Sequence, residues 1–157
     1  VITGSGHSPE HAALWCRELD VLISGDQVLP RITTNISLPH NEPDSDPLGL
    51  FLASFDKFRL LPQDNLVLPS HDRPFHGLHA RLDALDTHHA ERLDATAEAC
   101  AEPATAFDLI PVLFNRALDG HQMGFAMGEA MAHANHLMAQ GRLRRERGGD
   151  GVIRYRR

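Results

Sequence analysis

The segment LISGDQVLP, residues 22–30, sets a short apolar run against a glycine, an acid and a turn that ends in proline. Leu22 and Ile23 sit in DVLISG (20–25), a run rich in Val, Leu and Ile that reads as a strand. Gly25 lets the backbone turn tightly, so the run delivers the Asp26 carboxylate to the end of that strand. Two other stretches have the same arrangement. GSGHSPEH (4–11) places His7 among glycines after a strand end at Val1–Thr3, and VLPSHDRPFHG (67–77) places His71 in the loop after NLVLP (65–69), read as a buried strand. Loops at one edge of a layered sheet converge, so residues far apart in sequence can meet there. Two imidazoles and a carboxylate suit a borderline cation such as Zn²⁺, and their spacing is too long for a local finger-type site.

HAALWC (11–16) is a second apolar run, expected to pair antiparallel with 20–25 through a tight connection. Residues 26–46 form a long polar connection containing Pro30, Pro39 and Pro43, and loops of that length in compact domains are more often functional than idle. Beyond Pro47, apolar residues at 48, 51, 52, 55 and 58 have helical spacing, ended by Pro62. Leu78 to about Cys100 reads as a long amphipathic helix. Strand, loop and helix in that order indicate an α/β (α+β layered) body. Glu102–Pro103 marks a boundary that divides the chain into domains at 1–100 and 104–157. In the second, helices are expected over Ala106–Leu118 and about Phe125–Gln140. RLRRER–GGDG–VIRYR then reads as a hairpin, which together with the helices gives the outline of a small winged-helix-like α+β domain.

The composition excludes several classes. With 42% hydrophobic and 23% charged residues, the 157-residue chain has the balance of a soluble globular protein. No apolar run approaches the roughly 18 residues of a membrane span, and the start has no signal-peptide pattern, so the chain reads as the middle of a longer protein without a membrane partner. Cys16 and Cys100 are too few for a disulfide framework, which makes a reduced cytoplasm the default expectation. Residues 141–157 hold seven arginines against Glu146 and Asp150, on a chain whose formal net charge is −6. That basic tail on an acidic body raises a nucleic-acid alternative: a non-enzymatic, nucleic-acid-binding winged-helix protein whose first domain is degenerate.

In order along the chain, TGSGHSPEH, LISGDQVLPRITTNISL and VLPSHDRPFHGLHARLDAL…HHAERL resemble the second half of a metallo-β-lactamase-fold hydrolase. The segments from FDLIPVLFNR through EAMAHANHLMAQGRLRRE resemble the winged-helix-like appendage of one cytoplasmic subgroup. The resemblance implies the second half of an αββα sandwich. It also implies two Zn²⁺ per intact site, with His7 completing the first metal's ligands, Asp26 bridging both and His71 serving the second. The implied reaction is attack by a metal-activated hydroxide on a thioester or other small acyl compound, or on a phosphodiester in RNA. His11 is expected to support the loop rather than bind metal. Arg31 and Asn35, in the connection after Asp26, are candidate substrate contacts.

Glu10, Ser70 and Asp72 stand where the family commonly has small residues or glycine. The larger departure is the absence from this chain of the first-half His-x-His-x-Asp-His motif. The expectation is therefore an incomplete site, inactive alone, with an apolar sheet face that associates with the missing N-terminal half or a second copy of the chain. His76, His79, His88 and His89 are expected on solvated faces, and His133 and His136 as surface or packing residues.

Overall fold

A computed structural model describes residues 1–157 and contains six strands and four helices. The chain divides into two compact units, one of residues 1–35 and 49–88, the other of 36–48 and 89–157. No helix is long and apolar enough to cross a membrane.

The first unit is built on a sheet in the order β1 (Ile2–Gly4), β2 (His11–Cys16), β3 (Val21–Gly25) and β4 (Leu66–Pro69). β2 runs antiparallel to both β1 and β3, as its short turn to β3 requires, and β4 is parallel to β3. β1, β3 and β4 therefore run in one direction, and their carboxyl ends share one edge of the sheet. Asp20 closes the β2–β3 turn at φ 53°, a left-handed conformation that aspartate tolerates better than most residues.

The sheet's two faces differ. Ala13, Leu22 and Val67 are completely buried, whereas Leu14 and Ile23, paired across β2 and β3, are each 48% exposed. The strand in NLVLP, Leu66–Pro69, is thus half-buried and not buried throughout: only Val67 of its four residues is enclosed, because the opposite face of the sheet lies open. Helix α1 (Pro47–Phe58) contributes Phe51, Phe55 and Phe58, spaced for one face and fully buried, and the rings of Phe51 and Phe55 meet edge to face at 4.9 Å. Helix α2 (Leu78–Ala99) begins with a buried stripe of Leu78, Leu82 and Leu85. Arg59 donates to Asp83 and Asp86 on α2, and those two carboxylates raise its already high pKa.

In the second unit, α3 (Ala106–Leu113) packs against α4 (Gly120–Ala139), and β5 (Arg144–Arg147) pairs with β6 (Ile153–Arg156) around a glycine turn. The expected order of helix, helix and hairpin is present, but the helix limits differ from expectation. α3 stops at Leu113, five residues early, and α4 starts at Gly120, five residues before Phe125. Asp119 sets the second limit: its carboxylate accepts the Gln122 N–H while Gln122 accepts the Asp119 N–H, a reciprocal cap that starts a helix on a polar stretch without apolar periodicity.

His89 corrects another expectation. It is buried, with its ring centroid 5.8 Å from that of buried His133. His136 faces Asp46 at 2.9 Å, and Asn135 donates to the carbonyls of Pro43 and Ser45, so segment 36–48 is held to α4. Gly128 permits this approach, since a Cβ there would lie 2.6 Å from Ser37 Oγ.

Candidate metal half-site

The shared edge of β1, β3 and β4 brings the three expected residues together. His7 lies in the loop after β1, Asp26 directly after β3 and His71 in the loop after β4. Each oxygen of Asp26 faces a different imidazole: Oδ2 lies 3.5 Å from His7 Nε2, and Oδ1 lies 3.3 Å from His71 Nε2. Ser70 Oγ also donates to Oδ1.

The surrounding contacts fix these groups. His7 Nδ1 donates to the Asn35 carbonyl at 2.9 Å, which fixes the ring with Nε2 facing the Asp26 carboxylate. The Asp26 N–H donates to His11 Nε2 at 3.1 Å, and Thr34 Oγ1 donates to the Asp26 carbonyl. His11 therefore grips the backbone of the Asp26 turn, a supporting position. Gly25 is required beneath it, because its φ is +55° and an added Cβ would lie 2.5 Å from the His11 ring.

Arg31 forms a two-pronged pair with Asp72, Nε to Oδ2 at 2.8 Å and Nη2 to Oδ1 at 3.1 Å, so it ties the loop after Asp26 to the loop bearing His71. Arg31 is 71% exposed along its side chain, and Asn35 acts on the site through its main-chain carbonyl.

Two supports were not legible in the motifs. Gln27 is fully buried, and its amide donates to Ser54 Oγ at 2.8 Å and to the Ser5 carbonyl at 3.3 Å, linking α1 to the loops of His7 and Asp26. Arg81 on α2 donates to the carbonyls of Leu29 and Ile32 at 2.6 and 2.8 Å, holding the connection from within the fold, and burial lowers its pKa. Arg81 sits in a helical pattern as an ordinary polar position. Only the folded connection reveals carbonyls within its reach.

The donor types suit Zn²⁺, but their number does not close a coordination shell. No group of three or more His, Cys, Asp or Glu side chains is arranged to hold a metal ion by itself. The His7 and His71 imidazoles and the Asp26 carboxylate are donors of the kind zinc accepts, and further ligands would be needed to complete a shell.

Residues 1–71 match the metallo-beta-lactamase superfamily, and residues 93–157 match the metallo-beta-lactamase-like C-terminal domain. Among solved structures, the whole chain superposes on a beta-lactamase domain protein from Burkholderia ambifaria with TM-score 0.97 and 52% identity. It also superposes, over 98% of its length, on a metallo-beta-lactamase family protein from Thermus thermophilus, with TM-score 0.83 and 32% identity. The chain spans 47% of each of these proteins. No curated protein matches it.

Proposed function

Since this chain belongs to the metallo-beta-lactamase superfamily and carries a fragment of its fold, we propose that it is the C-terminal half of a zinc-dependent hydrolase, inactive until the rest of the site is supplied. Family membership suggests a metal-dependent hydrolase. The observation that supports the finer reading is Asp26, each of whose oxygens lies beside a separate imidazole, where a shared carboxylate would serve two cations.

Within that reading, His7, Asp26 and His71 hold the metals. His11, Thr34 and the Asn35 carbonyl fix the orientation of the first two, and Ser70 holds one Asp26 oxygen. Bound cations would supply Lewis acidity and a lowered pKa for the attacking water. Arg31, extended at the surface beside Asp72, is placed to exchange that carboxylate for an anionic part of an acyl, thioester or phosphodiester substrate.

The open sheet face bearing Leu14 and Ile23 supports association with the N-terminal half of the fold or, in its absence, a second copy of the chain. Residues 1–100 then form the hydrolase half, in a cytoplasmic protein, and 104–157 a winged-helix-like appendage. The nucleic-acid alternative is not favoured. Arg142, Arg144, Arg145 and Arg154 are paired with Asp94, Glu146, Asp44 and Asp150, which engages four of the tail's seven arginines with carboxylates.

The test is hydrolysis of thioester and RNA substrates in zinc, by the chain alone and by the chain combined with its upstream half. Turnover only in the combination is expected. Tight, stoichiometric zinc and turnover by the isolated chain would overturn the reading.

A further inference from the structure

We propose that the second unit contains a binding site for an aliphatic carboxylate, with the alkyl chain in an apolar cavity and the carboxylate on Arg116. The cavity has a volume of about 390 Å³ and lies between α3 and the segment that joins it to α4. Ile110, Pro111, Phe114, Leu118 and Met123 line it, and Phe107, 60% exposed, stands at its edge. Its size is that of a small-molecule site, and apolar walls with few polar groups are the usual make-up of such sites.

The polar groups decide the ligand class. Only two charged residues, Asp108 and Arg116, border the cavity. Asp108 is committed to its own helix: its Oδ2 accepts the Thr105 N–H at 2.9 Å and the Thr105 hydroxyl at 2.6 Å. Arg116 is held differently. Its Nη1 donates to the neutral Gln122 Oε1 at 3.0 Å, and that oxygen is anchored in turn by the Asp119 N–H at 3.2 Å. The guanidinium is thus positioned without being neutralised, while the other arginines of this unit in the basic tail mostly face carboxylates. A planar cation with free donors beside an apolar cavity complements a carboxylate joined to a hydrocarbon chain. A cationic amphiphile would meet like charge there, and an alcohol would leave the charge unmatched.

The test is calorimetric titration of the 157-residue chain with hexanoate, octanoate, decanoate, 1-decanol and decyltrimethylammonium, with methyl NMR to locate the ligand. Saturable binding of decanoate is expected, at least about tenfold tighter than that of the alcohol or the ammonium. Affinity should rise by up to about fourfold per methylene. Shifts should centre on Ile110, Leu118 and Met123. The exposed substitution Arg116→Gln should weaken decanoate by about tenfold and leave decanol unchanged. Leu118→Trp, which narrows the cavity, should weaken every ligand, and Arg116→Gln decides alone if that variant does not fold. No saturable decanoate binding, equal affinity in Arg116→Gln, or shifts centred on Leu14 and Ile23 would each overturn the proposal.

Discussion

His11 Nε2 accepts the main-chain N–H of Asp26 at 3.1 Å, so one histidine of GSGHSPEH supports the turn whose carboxylate faces the other. His11→Ala leaves that N–H without its acceptor and opens space above Gly25. Loss of about 1–3 kcal/mol is expected from urea unfolding. Gly25→Ala attacks the same contact from below, through a Cβ at φ +55° pressed on the imidazole, and should destabilise by at least about 1 kcal/mol.

Arg81 supplies two charged hydrogen bonds to the Leu29 and Ile32 carbonyls from a partly buried position. Arg81→Ala should cost about 2 kcal/mol in chemical unfolding. It should also accelerate amide hydrogen exchange over residues 26–35 more than in α1. Uniform acceleration across the first unit would show that Arg81 contributes only to global stability.

The Thr105–Asp108 capping box starts α3, and Thr105→Ala should lower stability by about 1 kcal/mol. The hydroxyl and N–H of Thr105 hold the Asp108 carboxyl below its ordinary pKa of 3.8. A depressed carboxylate pKa stabilises the fold at pH above the ordinary value, and that contribution disappears as pH falls through the lower, folded-state pKa. Acid unfolding of Thr105→Ala should therefore begin at higher pH than that of the wild type, in a titration followed by circular dichroism.

Leu14 and Ile23 form a cross-strand apolar pair on the open face of the sheet. Leu14→Glu combined with Ile23→Lys should change the stability of the monomer by less than about 1 kcal/mol, because neither side chain is enclosed. The same double variant should abolish self-association and complementation by an upstream half, as measured by light scattering. Unchanged association would place the contact on another surface.

The meeting of His7, Asp26 and His71 was legible because its signal is local: a strand, then Gly or Pro, then a polar side chain, three times over. Strand direction does the rest, and the β2 reversals put all three at one edge. Gln27 and Arg81 escaped because their partners are Ser54, a main-chain oxygen of Ser5 and the carbonyls of Leu29 and Ile32, which no motif marks. His89 escaped because the α2 pattern around it is rich in charge, yet burial there is decided by tertiary neighbours such as His133. The start of α4 was written in the sequence as Asp119-x-x-Gln122, a cap signal outweighed by the lack of apolar spacing before Phe125.

The most direct test of the half-site is a zinc titration of the ¹⁵N-labelled chain, with the wild type compared to Asp26→Ala. Weak binding is expected, with shifts confined to the loops of His7, Asp26 and His71 and lost together in the variant. Zinc shifts that persist in Asp26→Ala, or that centre on His133 and His136, would contradict it.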